Sequence, residues 1–464
     1  MKILMIAYDN DSFLTWFPQG LAYLASACLN ANHEVEIYQQ DVYHWPEEHL
    51  KEKLNKEKYD IVILSVIGGY YQYSKLLKIS KAVNESINRN NFKYLIGGHG
   101  PASDPEYFLR KTSADFVGIG EGENTIVELL EAVENKKDLK KVDGIAFIED
   151  GCYIRTNPRK LIEDIDSILM PAWELFNIDY YSLLRLPGIS QNERSFPVLS
   201  GRGCTFECNF CFRLDKGFRP RSSESIIEEI KLLKNRYNIS YISFSDELLM
   251  SSKKRTIELC DAIINSKLNI KWECNGRLNY ADMDVLEKMK ESGCVFINYG
   301  IESLDNPTLK VMNKALTYDM IVKGIENTLK VGISPGLNII YGNINEPIEA
   351  IDKAVEFLLK YDDHVQLRTI RPVTPYPGSP LFDYAIEKGY IKDTEDFYEN
   401  KHTNSDLLSV NFTNYSDDEV YQKLNSANKI LIDRHINIQK ERMINTCDDL
   451  YVNKNSKFRG FRQT

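Results

Sequence analysis

Short apolar runs alternate with amphipathic stretches along the first 135 residues of the chain. Runs rich in β-branched residues occupy 3–7, 34–38, 60–66, 93–97 and 115–119. Between them, apolar residues recur at helical spacing over 20–31, 73–90 and 123–135. Strands that alternate with helices predict an open, doubly wound, Rossmann-like parallel sheet of the α/β class.

A second alternation of strands and helices follows further along the chain. Strands are predicted at 196–200, 241–245, 270–274, 295–299, 336–341 and 365–370. Helices are predicted at 222–237, 253–266, 281–292, 317–331 and 347–361. Six such units are two fewer than a full barrel contains, so we expect a partial, laterally open TIM-type (β/α)6 barrel.

These patterns divide the chain into four parts. Residues 1–135 form the Rossmann-like domain, and 136–190 form a linker or small subdomain with a hairpin-like piece and several prolines. The partial barrel is assigned to 191–390. The polar, Asn- and Lys-rich remainder, 391–464, is a small C-terminal extension with a helical segment at 416–440.

Glycine-rich loops follow three strands of the first sheet. They contain Ile67-Gly68-Gly69-Tyr70, then Gly97-Gly98-His99, then Gly120-Glu121. The carboxyl ends of parallel strands meet at one edge, and glycine lets backbone approach a bulky ligand closely. The pattern favours a site for a large flat cofactor or a phosphate-bearing group. Ordinary tight turns between strand and helix are the alternative.

Bulk composition narrows the classes of partner. The 464 residues carry a formal net charge of −10, without a long basic run, which argues against a nucleic-acid or anionic-membrane surface. No apolar stretch approaches the roughly 20 residues needed to span a bilayer. We expect a cytoplasmic protein with reduced thiols that acts on a small-molecule or peptide substrate.

Three of the nine cysteines are clustered, at Cys204, Cys208 and Cys211. They follow a predicted strand and present three soft thiolates within eight positions, the ligand type that iron–sulfur clusters need. Three ligands leave one iron with open coordination. The spacing differs from the paired CxxC units of a zinc ribbon.

On this motif the chain resembles the radical SAM superfamily, whose signature CxxxCxxC has an aromatic residue before the last cysteine, here Phe210. The resemblance covers about 195 to 385. It implies a four-iron four-sulfur cluster whose unique iron binds S-adenosylmethionine (SAM). It also implies reduction by an external electron donor such as flavodoxin or ferredoxin.

Polar residues at successive strand ends resemble the SAM-binding positions of that superfamily. Asp246 and Glu247 end the second barrel strand and would bind the methionyl amine. Asn275 and Arg277 follow the third strand, where a guanidinium suits the SAM carboxylate. Glu302 and Ser303 end the fourth, in a segment similar to the GIES motif. For each of these residues, a capping or surface role is the alternative.

Two later segments complete this resemblance. Gly342 to Glu346 stands where many relatives have GxPGE, but lacks the proline and the second glycine. The segment 374–381 resembles the TPYPGTPL of relatives with a cobalamin domain. Arg368, Arg371 and Tyr376, near the last strand's end, are candidates for catalytic contacts with substrate, with loop bracing as the alternative.

Residues 1–135 resemble the cobalamin-binding domain of cobalamin-dependent radical SAM enzymes, on the segments 17–26, 59–66, 96–109 and 114–123. The resemblance places Ile67, Gly68, Gly69 and Tyr70 at the corrin. It places Gly97, Gly98 and Gly120 around the nucleotide tail, and His99 and Glu121 among the cofactor-binding residues. The chain lacks DxHxxG, so no protein histidine is expected on cobalt; His44 and His99 lack that setting. A vestigial domain without cofactor is the alternative.

The combined resemblance implies a cobalamin-dependent radical SAM methyltransferase that acts on an unactivated carbon. The alternative is a radical SAM dehydrogenation, elimination, cyclisation or rearrangement without methyl transfer. A non-catalytic iron–sulfur sensor would not need Asp246, Arg277 and Glu302. Methylthiotransferases are disfavoured because the tail does not resemble a small basic RNA-binding barrel.

Overall fold

The structure is a computed structural model that describes residues 1–214 and 216–455. It contains a seven-stranded sheet, a six-stranded sheet and a two-stranded hairpin, which follows the first strand of the six-stranded sheet in the chain. Within the described residues, no helix is both long and apolar enough to cross a bilayer.

The first sheet is parallel over its first five strands. Its strands are β1 Lys2–Ala7, β2 Glu34–Gln39, β3 Ile61–Ser65, β4 Lys93–Gly97, β5 Phe116–Gly118, β6 Ile145–Glu149 and β7 Cys152–Arg155. They lie in the order β2-β1-β3-β4-β5-β6-β7. β1, β3 and β4 are almost wholly buried, as strands covered by helices on both faces should be.

Seven helices belong to this part of the chain. They are α1 Gln19–Asn30, α2 Gln40–Tyr43, α3 Glu47–Lys56, α4 Tyr70–Asn84, α5 His99–Ser103, α6 Pro105–Thr112 and α7 Gly122–Glu134. The strand order places a topological switch point between β1 and β3, so ligands are expected beyond the carboxyl ends of these strands.

β6 and β7 come from the segment assigned to a linker by its sequence. They form an antiparallel hairpin that extends the first sheet beyond β5. The first sheet is therefore larger than the five strands of the 1–135 pattern. The boundaries at 135, 190 and 390 remain predictions.

The second sheet is a six-stranded parallel half-barrel. Its strands are β8 Ser195–Val198, β11 Tyr241–Phe244, β12 Lys271–Gly276, β13 Cys294–Glu302, β14 Ser334–Tyr341 and β15 Arg371–Pro372. β9 Gly201–Arg202 and β10 Arg219–Pro220 form the separate hairpin. Parallel pairing runs from β8 through β11 and on to β15, which confirms a partial, open (β/α)6 barrel.

The sixth strand differs from its prediction. Residues 365–370 are apolar enough to resemble a strand, but the structure has no strand there and pairs only Arg371–Pro372 with β14. Strand propensity alone cannot choose between two adjacent segments, because pairing with β14 decides which residues form the strand.

Further helices precede, separate and follow the strands of the half-barrel along the chain. They are α8 Ile178–Tyr181, α9 Ser223–Tyr237, α10 Lys253–Ser266, α11 Met283–Glu291, α12 Asn306–Val311, α13 Tyr318–Val331, α14 Glu349–Tyr361 and α15 Pro380–Glu387. The core of the first sheet continues into the barrel through Phe17, whose ring packs against Phe176, Tyr181 and Phe196.

The C-terminal region bridges the two sheets. α16 Thr394–Asp396 leads into a π-helical turn at Phe397–Lys401, and α17 spans Asp417–Cys447. Tyr398 stacks on Tyr73 of the first domain with ring centroids 4.4 Å apart. α17 begins at a capping box in which Ser416 and Glu419 satisfy each other's backbone N–H groups.

Candidate active site

The three clustered cysteines line one cavity at the carboxyl edge of the half-barrel. This cluster cavity has a volume of about 360 Å³. Its lining includes Cys204, Cys208, Cys211, Phe210, Glu247, Asn275, Arg277, Asn298, Glu302, Lys314 and Asn338. The structure therefore brings together the predicted cysteines and predicted SAM residues from three strands.

The loop that carries the cysteines is braced from two directions. The Asn209 N–H donates to the Met312 carbonyl over 2.9 Å, and the Asn209 carbonyl accepts from the Leu381 N–H over 2.8 Å. The amides of Asn209 and Asn343 exchange two hydrogen bonds of 3.0 Å. These contacts fix the loop before any ligand is bound, which lowers the entropy cost of binding one.

Arg277 lies directly beside a cysteine. Its Nη1 is 3.9 Å from the Cys208 Sγ, and its guanidinium carbon lies 3.6 Å from the Phe206 ring centroid. Its Nη2 donates to the Lys314 carbonyl. The guanidinium is thereby held with Nη1 toward the sulfur, where its positive charge stabilises a thiolate or a bound anion.

Glu302 forms a buried ion pair with a residue that sequence reasoning missed. Its Oε1 is 2.8 Å from the Lys314 Nζ, and the two side chains are only 12% and 6% exposed. A Cβ at Gly300 would lie 2.3 Å from that carboxylate oxygen, so the glycine makes room for the pair.

Lost solvation raises the pKa of Cys211 to about 12, and the Lys314 charge opposes this rise.

Three asparagines form a hydrogen-bonded row across the cavity wall. The Asn338 Nδ2 donates to the Asn298 Oδ1 over 2.8 Å, and the Asn298 Nδ2 donates to the Asn275 Oδ1 over 3.1 Å. The Asn275 Nδ2 donates to the Asp246 carbonyl over 2.8 Å. The row fixes the amide orientations and gives the cavity a polar wall.

Asp246 points away from the cluster cavity. Its carboxylate accepts from the backbone N–H of Ser200 over 2.5 Å and from the Ser200 hydroxyl. Burial raises its pKa to about 6. The neighbouring Glu247 does line the cluster cavity.

Ser303 is also turned inward. Its hydroxyl donates to the Glu346 carboxylate over 2.7 Å, and that carboxylate accepts from the Gly342 and Asn343 N–H groups. Burial raises the pKa of Glu346 to about 7. Although the segment departs from GxPGE, Glu346 forms hydrogen bonds that hold its own loop in shape.

A second cavity lies at the carboxyl edge of the first sheet. This glycine-edge cavity has a volume of about 450 Å³. It is lined by the predicted Gly97, Gly98, His99, Gly120 and Glu121, together with Gly118 and Gly122. Residues of the barrel, Leu199, Gly201, Leu214 and Ser245 among them, form its opposite wall.

Glu121 serves the contact between the two domains. Its two carboxylate oxygens lie 2.9 Å from Arg202 and 2.9 Å from Arg219 of the hairpin, and one also accepts from the Ile162 N–H over 2.7 Å. Its side chain is 5% exposed. The carboxylate therefore positions the cavity wall, whereas the glycines beside it leave the space.

The loop predicted at the corrin lies elsewhere. Among the described residues that line the glycine-edge cavity, none comes from 67–70. The Gly68 carbonyl accepts from the Tyr398 hydroxyl over 3.2 Å, and Tyr70 contacts His402 edge to face. Ile67 stays 55% exposed. This loop faces the C-terminal region, and its role at the corrin stays a prediction.

The three residues predicted to contact substrate also lie outside the described lining of both cavities. The Arg368 Nε is 3.8 Å from Asp362, and the Arg371 Nε is 3.3 Å from Asp406. Tyr376 packs against His402, with ring centroids 5.3 Å apart. Each side chain contacts another protein side chain, and a substrate role for them stays a prediction.

His44 and His99, two of the histidines of the first domain, have different surroundings. The His44 Nδ1 is 2.8 Å from the Asp9 carboxylate, whereas His99 lines the glycine-edge cavity with its ring edge to face against Phe212 of the cysteine loop. Neither stands in a DxHxxG segment.

The two cavities adjoin, because Glu247 lines both. Three thiols around one polar cavity match the donor set of a cluster with an open iron. A cavity lined by several glycines leaves room for a bulky ligand to lie against backbone. The residues present therefore fit a four-iron four-sulfur cluster with SAM at one edge and cobalamin at the other.

Comparison with known proteins agrees with this geometry. A model of the radical SAM superfamily matches residues 198–358, and a model of the B12 binding domain matches residues 8–130. A protein of Pyrococcus horikoshii, named an uncharacterized methyltransferase, is 31% identical over 404 residues, which are 84% of this chain and 84% of the relative.

Two further matches are more distant. The anaerobic magnesium-protoporphyrin IX monomethyl ester cyclase of Rubrivivax gelatinosus is 26% identical over 392 residues, 82% of this chain and 68% of the relative. The radical SAM methyltransferase TsrM from Kitasatospora setae, with cobalamin and a [4Fe–4S] cluster bound, has a TM-score of 0.67 at 16% identity. That match covers 83% of this chain and 75% of that chain, and it concerns the fold.

A glycine-edged Rossmann-like sheet joined to a parallel half-barrel with a three-cysteine loop defines the class of cobalamin-dependent radical SAM enzymes. The chain belongs to the radical SAM superfamily, in the family whose members carry an N-terminal B12-binding domain. Its cofactors are the four-iron four-sulfur cluster, SAM and cobalamin. The resemblance read from the sequence is confirmed, while the individual site residues stay predictions.

Proposed function

We propose that this enzyme methylates an unactivated carbon of a small-molecule or peptide substrate held where its two cavities meet. The observation that carries the proposal is Glu247, which lines both the cluster cavity and the glycine-edge cavity. When bound, the cluster with SAM supplies hydrogen-atom abstraction, and cobalamin supplies the methyl group. A substrate between them is within reach of both.

The chain's own residues would bind and orient these groups. Cys204, Cys208 and Cys211 would hold the cluster, with Arg277 beside Cys208 to offset the negative charge of the sulfurs. The Glu302–Lys314 pair offers one group of each charge to the SAM amino and carboxylate groups. Buried and hydrogen-bonded in advance, these groups need little rearrangement when ligands bind.

The glycine-edge cavity would hold cobalamin by shape. Gly97 and Gly118 contribute no side chain to its wall, and a Cβ at either would meet other atoms only at 3.9 Å. These glycines therefore leave space for a ligand, while polar side chains such as His99 and Glu121 form other parts of the wall. We infer that His99, which lines this cavity, would contact the bound cofactor, and that no protein histidine would bind cobalt.

The net charge, the free thiols and the electron balance bear on the substrate class, the cellular compartment and the electron donor. A formal charge of −10 disfavours a nucleic-acid substrate. All nine cysteines are free, as expected in a reducing cytoplasm. The reaction consumes two SAM and two electrons per methyl group, so an external donor such as flavodoxin or ferredoxin would supply the electrons.

The test uses the anaerobically reconstituted holoenzyme, SAM labelled in its methyl group, and the native substrate. Methyl transfer predicts labelled product with S-adenosylhomocysteine and 5′-deoxyadenosine in about equal amounts, because each arises from one of the two SAM molecules. Substrate turnover with 5′-deoxyadenosine, but without label in the product or S-adenosylhomocysteine, would rule methyl transfer out.

The similarity to a cyclase favours one alternative. The Rubrivivax gelatinosus relative is named for ring formation rather than methylation, and 82% of this chain aligns with it. A cyclisation, dehydrogenation, elimination or rearrangement would use the same cluster cavity and give the unlabelled product described above.

A further inference from the structure

Three potential metal ligands meet outside both cofactor cavities. Asp362 follows the last residue of α14, His364 lies two positions further on, and His435 belongs to α17. One ligand atom of each lies within 4.8 Å of those of the other two. Residues 71 positions apart in sequence are thus joined where the C-terminal helix crosses the barrel.

Their polar atoms are buried without hydrogen-bond partners. Of the described side chains, the Asp362 Oδ1, the His364 Nδ1 and the His435 Nδ1 are buried and form no hydrogen bond, although the His364 Nδ1 lies 3.1 Å from the Asp362 Oδ2. The Asp362 and His364 side chains are 5% and 11% exposed, and the His364 residue as a whole is 8% exposed. Burying such groups without hydrogen bonds is unfavourable, and an ion held by the two imidazoles and the carboxylate would offset this cost.

The side chains of α17 hold the His364 backbone in place. The His364 carbonyl accepts from the Gln439 Nε2 over 2.6 Å and from the Arg442 Nη1 over 3.1 Å. The Arg442 Nη2 donates to the Asp363 carbonyl over 2.7 Å. The imidazole rings of His364 and His435 lie edge to face, with centroids 6.0 Å apart.

We propose that Asp362, His364 and His435 bind a divalent transition-metal ion of the zinc type. Two imidazole nitrogens and one carboxylate oxygen form a ligand set suited to such an ion. Ligand atoms about 2 Å from a common ion lie closer together than 4.8 Å, so binding would draw the three side chains toward one another.

Arg368 fits this arrangement as a positioning residue. Its Nε is 3.8 Å from the Asp362 Oδ1, whereas the Oδ2 faces the His364 Nδ1 at 3.1 Å. One carboxylate oxygen is therefore available to the ion while the other faces the guanidinium. Ligating carboxylates are commonly oriented by such a second contact.

The proposed metal site lies away from the cluster cavity. The Arg368 guanidinium carbon lies 5.8 Å from the ring centroid of Phe296, near the amino end of β13, whereas the cluster cavity lies at the carboxyl ends of the strands. The ion would fasten α17 to the barrel and take no part in radical chemistry.

The position of His435 on α17 explains why a metal ion would help to hold this helix against the barrel. Its apolar packing uses Val420, Leu424, Ala427 and Leu431, which are buried. Beyond Leu431, Ile436 is 57% and Met443 is 65% exposed. His435 stands one turn past the end of the packed segment, where a metal bond would replace hydrophobic contact.

The experiment counts zinc and iron in the holoenzyme after dialysis against micromolar zinc. We expect about one zinc per chain beside the iron of the cluster, and a roughly tenfold loss of zinc with unchanged iron in His364→Ala and His435→Ala. His49→Ala is the control, because His49 stacks on Trp45 in the first domain and should keep the zinc.

The zinc X-ray absorption spectrum of the wild-type holoenzyme decides the matter even if a variant does not fold. Imidazole and oxygen scattering without sulfur supports the site. Sulfur ligands, zinc well below one per chain, or full zinc retention in both histidine variants would overturn it. None of these readouts depends on methyl transfer.

Discussion

The carboxyl edges of the two sheets are built in opposite ways. At the edge of the first sheet, glycines and apolar strand ends form much of the cavity wall, beside polar side chains that include His99 and Glu121. At the edge of the half-barrel, cysteines, an ion pair, an arginine and an asparagine row surround the cavity. An edge of backbone gives room to a large cofactor, whereas an edge of side chains sets charge and ligand geometry for a small one. The variants below separate the two properties.

The largest effect is expected at the cysteines. Cys208→Ala removes one of three sulfur ligands, so the cluster should be lost and SAM cleavage should fall to background. Iron content and 5′-deoxyadenosine formation measure this. Cys152→Ala and Cys447→Ala are matched controls, because neither lines the cluster cavity. Full iron and turnover in Cys208→Ala would contradict the assignment.

A large side chain in the glycine-edge cavity should remove the cobalamin and leave the cluster in place. Gly97→Phe places a ring in the cavity without a backbone clash, since its Cβ would meet only the Gly118 carbonyl, at 3.9 Å. We expect cobalt to fall at least roughly tenfold while iron stays at its wild-type level. Gly97→Ala is the matched control and should lose less. Equal cobalt in Gly97→Phe and wild type would show that cobalamin binds elsewhere.

A smaller effect is expected at the ion pair. Lys314→Met leaves the buried Glu302 charge without its partner and should lower kcat/KM for SAM by about tenfold or more, with the cluster retained. Lys314→Arg should restore much of the activity. Full activity in Lys314→Met with full iron would mean that the pair only braces the loop.

The smallest expected effect concerns pH. Burial raises the pKa of Glu346 from 4.5 to about 7, so the folded state holds this proton more tightly than the unfolded state. Its contribution to stability therefore falls as pH rises from about 4.5 to 7, by up to about 3 kcal/mol. Glu346→Gln removes this titration.

We expect the apparent Tm of Glu346→Gln, measured by calorimetry, to rise relative to that of wild type as pH rises from 5 to 8. The variant-minus-wild-type difference removes the effect of other groups that titrate in the same range. A difference independent of pH would show that Glu346 is ionised as easily as in the unfolded chain.

The sequence predicts the backbone of this protein better than its side-chain contacts. Buried apolar runs identify ten of the strands because parallel sheets need them, and three cysteines within eight residues mark the cluster loop. The sixth barrel strand was misplaced because β15 has only two residues, at the edge of the sheet.

Contacts that depend on tertiary structure were not accessible in this way. Lys314 lies in no recognised motif and reaches Glu302 only because the chain folds back after α12. Asn298 and Asn338 could have been found from strand alternation, since each falls on the face that points into the barrel. Asp246 and Ser303 look like ligand residues in sequence, yet their side chains hold neighbouring loops.

The central claim is that the glycine edge and the side-chain edge hold different cofactors for one reaction. A single-turnover experiment with methyl-labelled SAM tests it most directly in wild type and Gly97→Phe. We predict that the wild type releases S-adenosylhomocysteine and 5′-deoxyadenosine, and that Gly97→Phe releases 5′-deoxyadenosine alone, because only the cobalamin side is blocked. S-adenosylhomocysteine released by Gly97→Phe at the wild-type rate would contradict the claim.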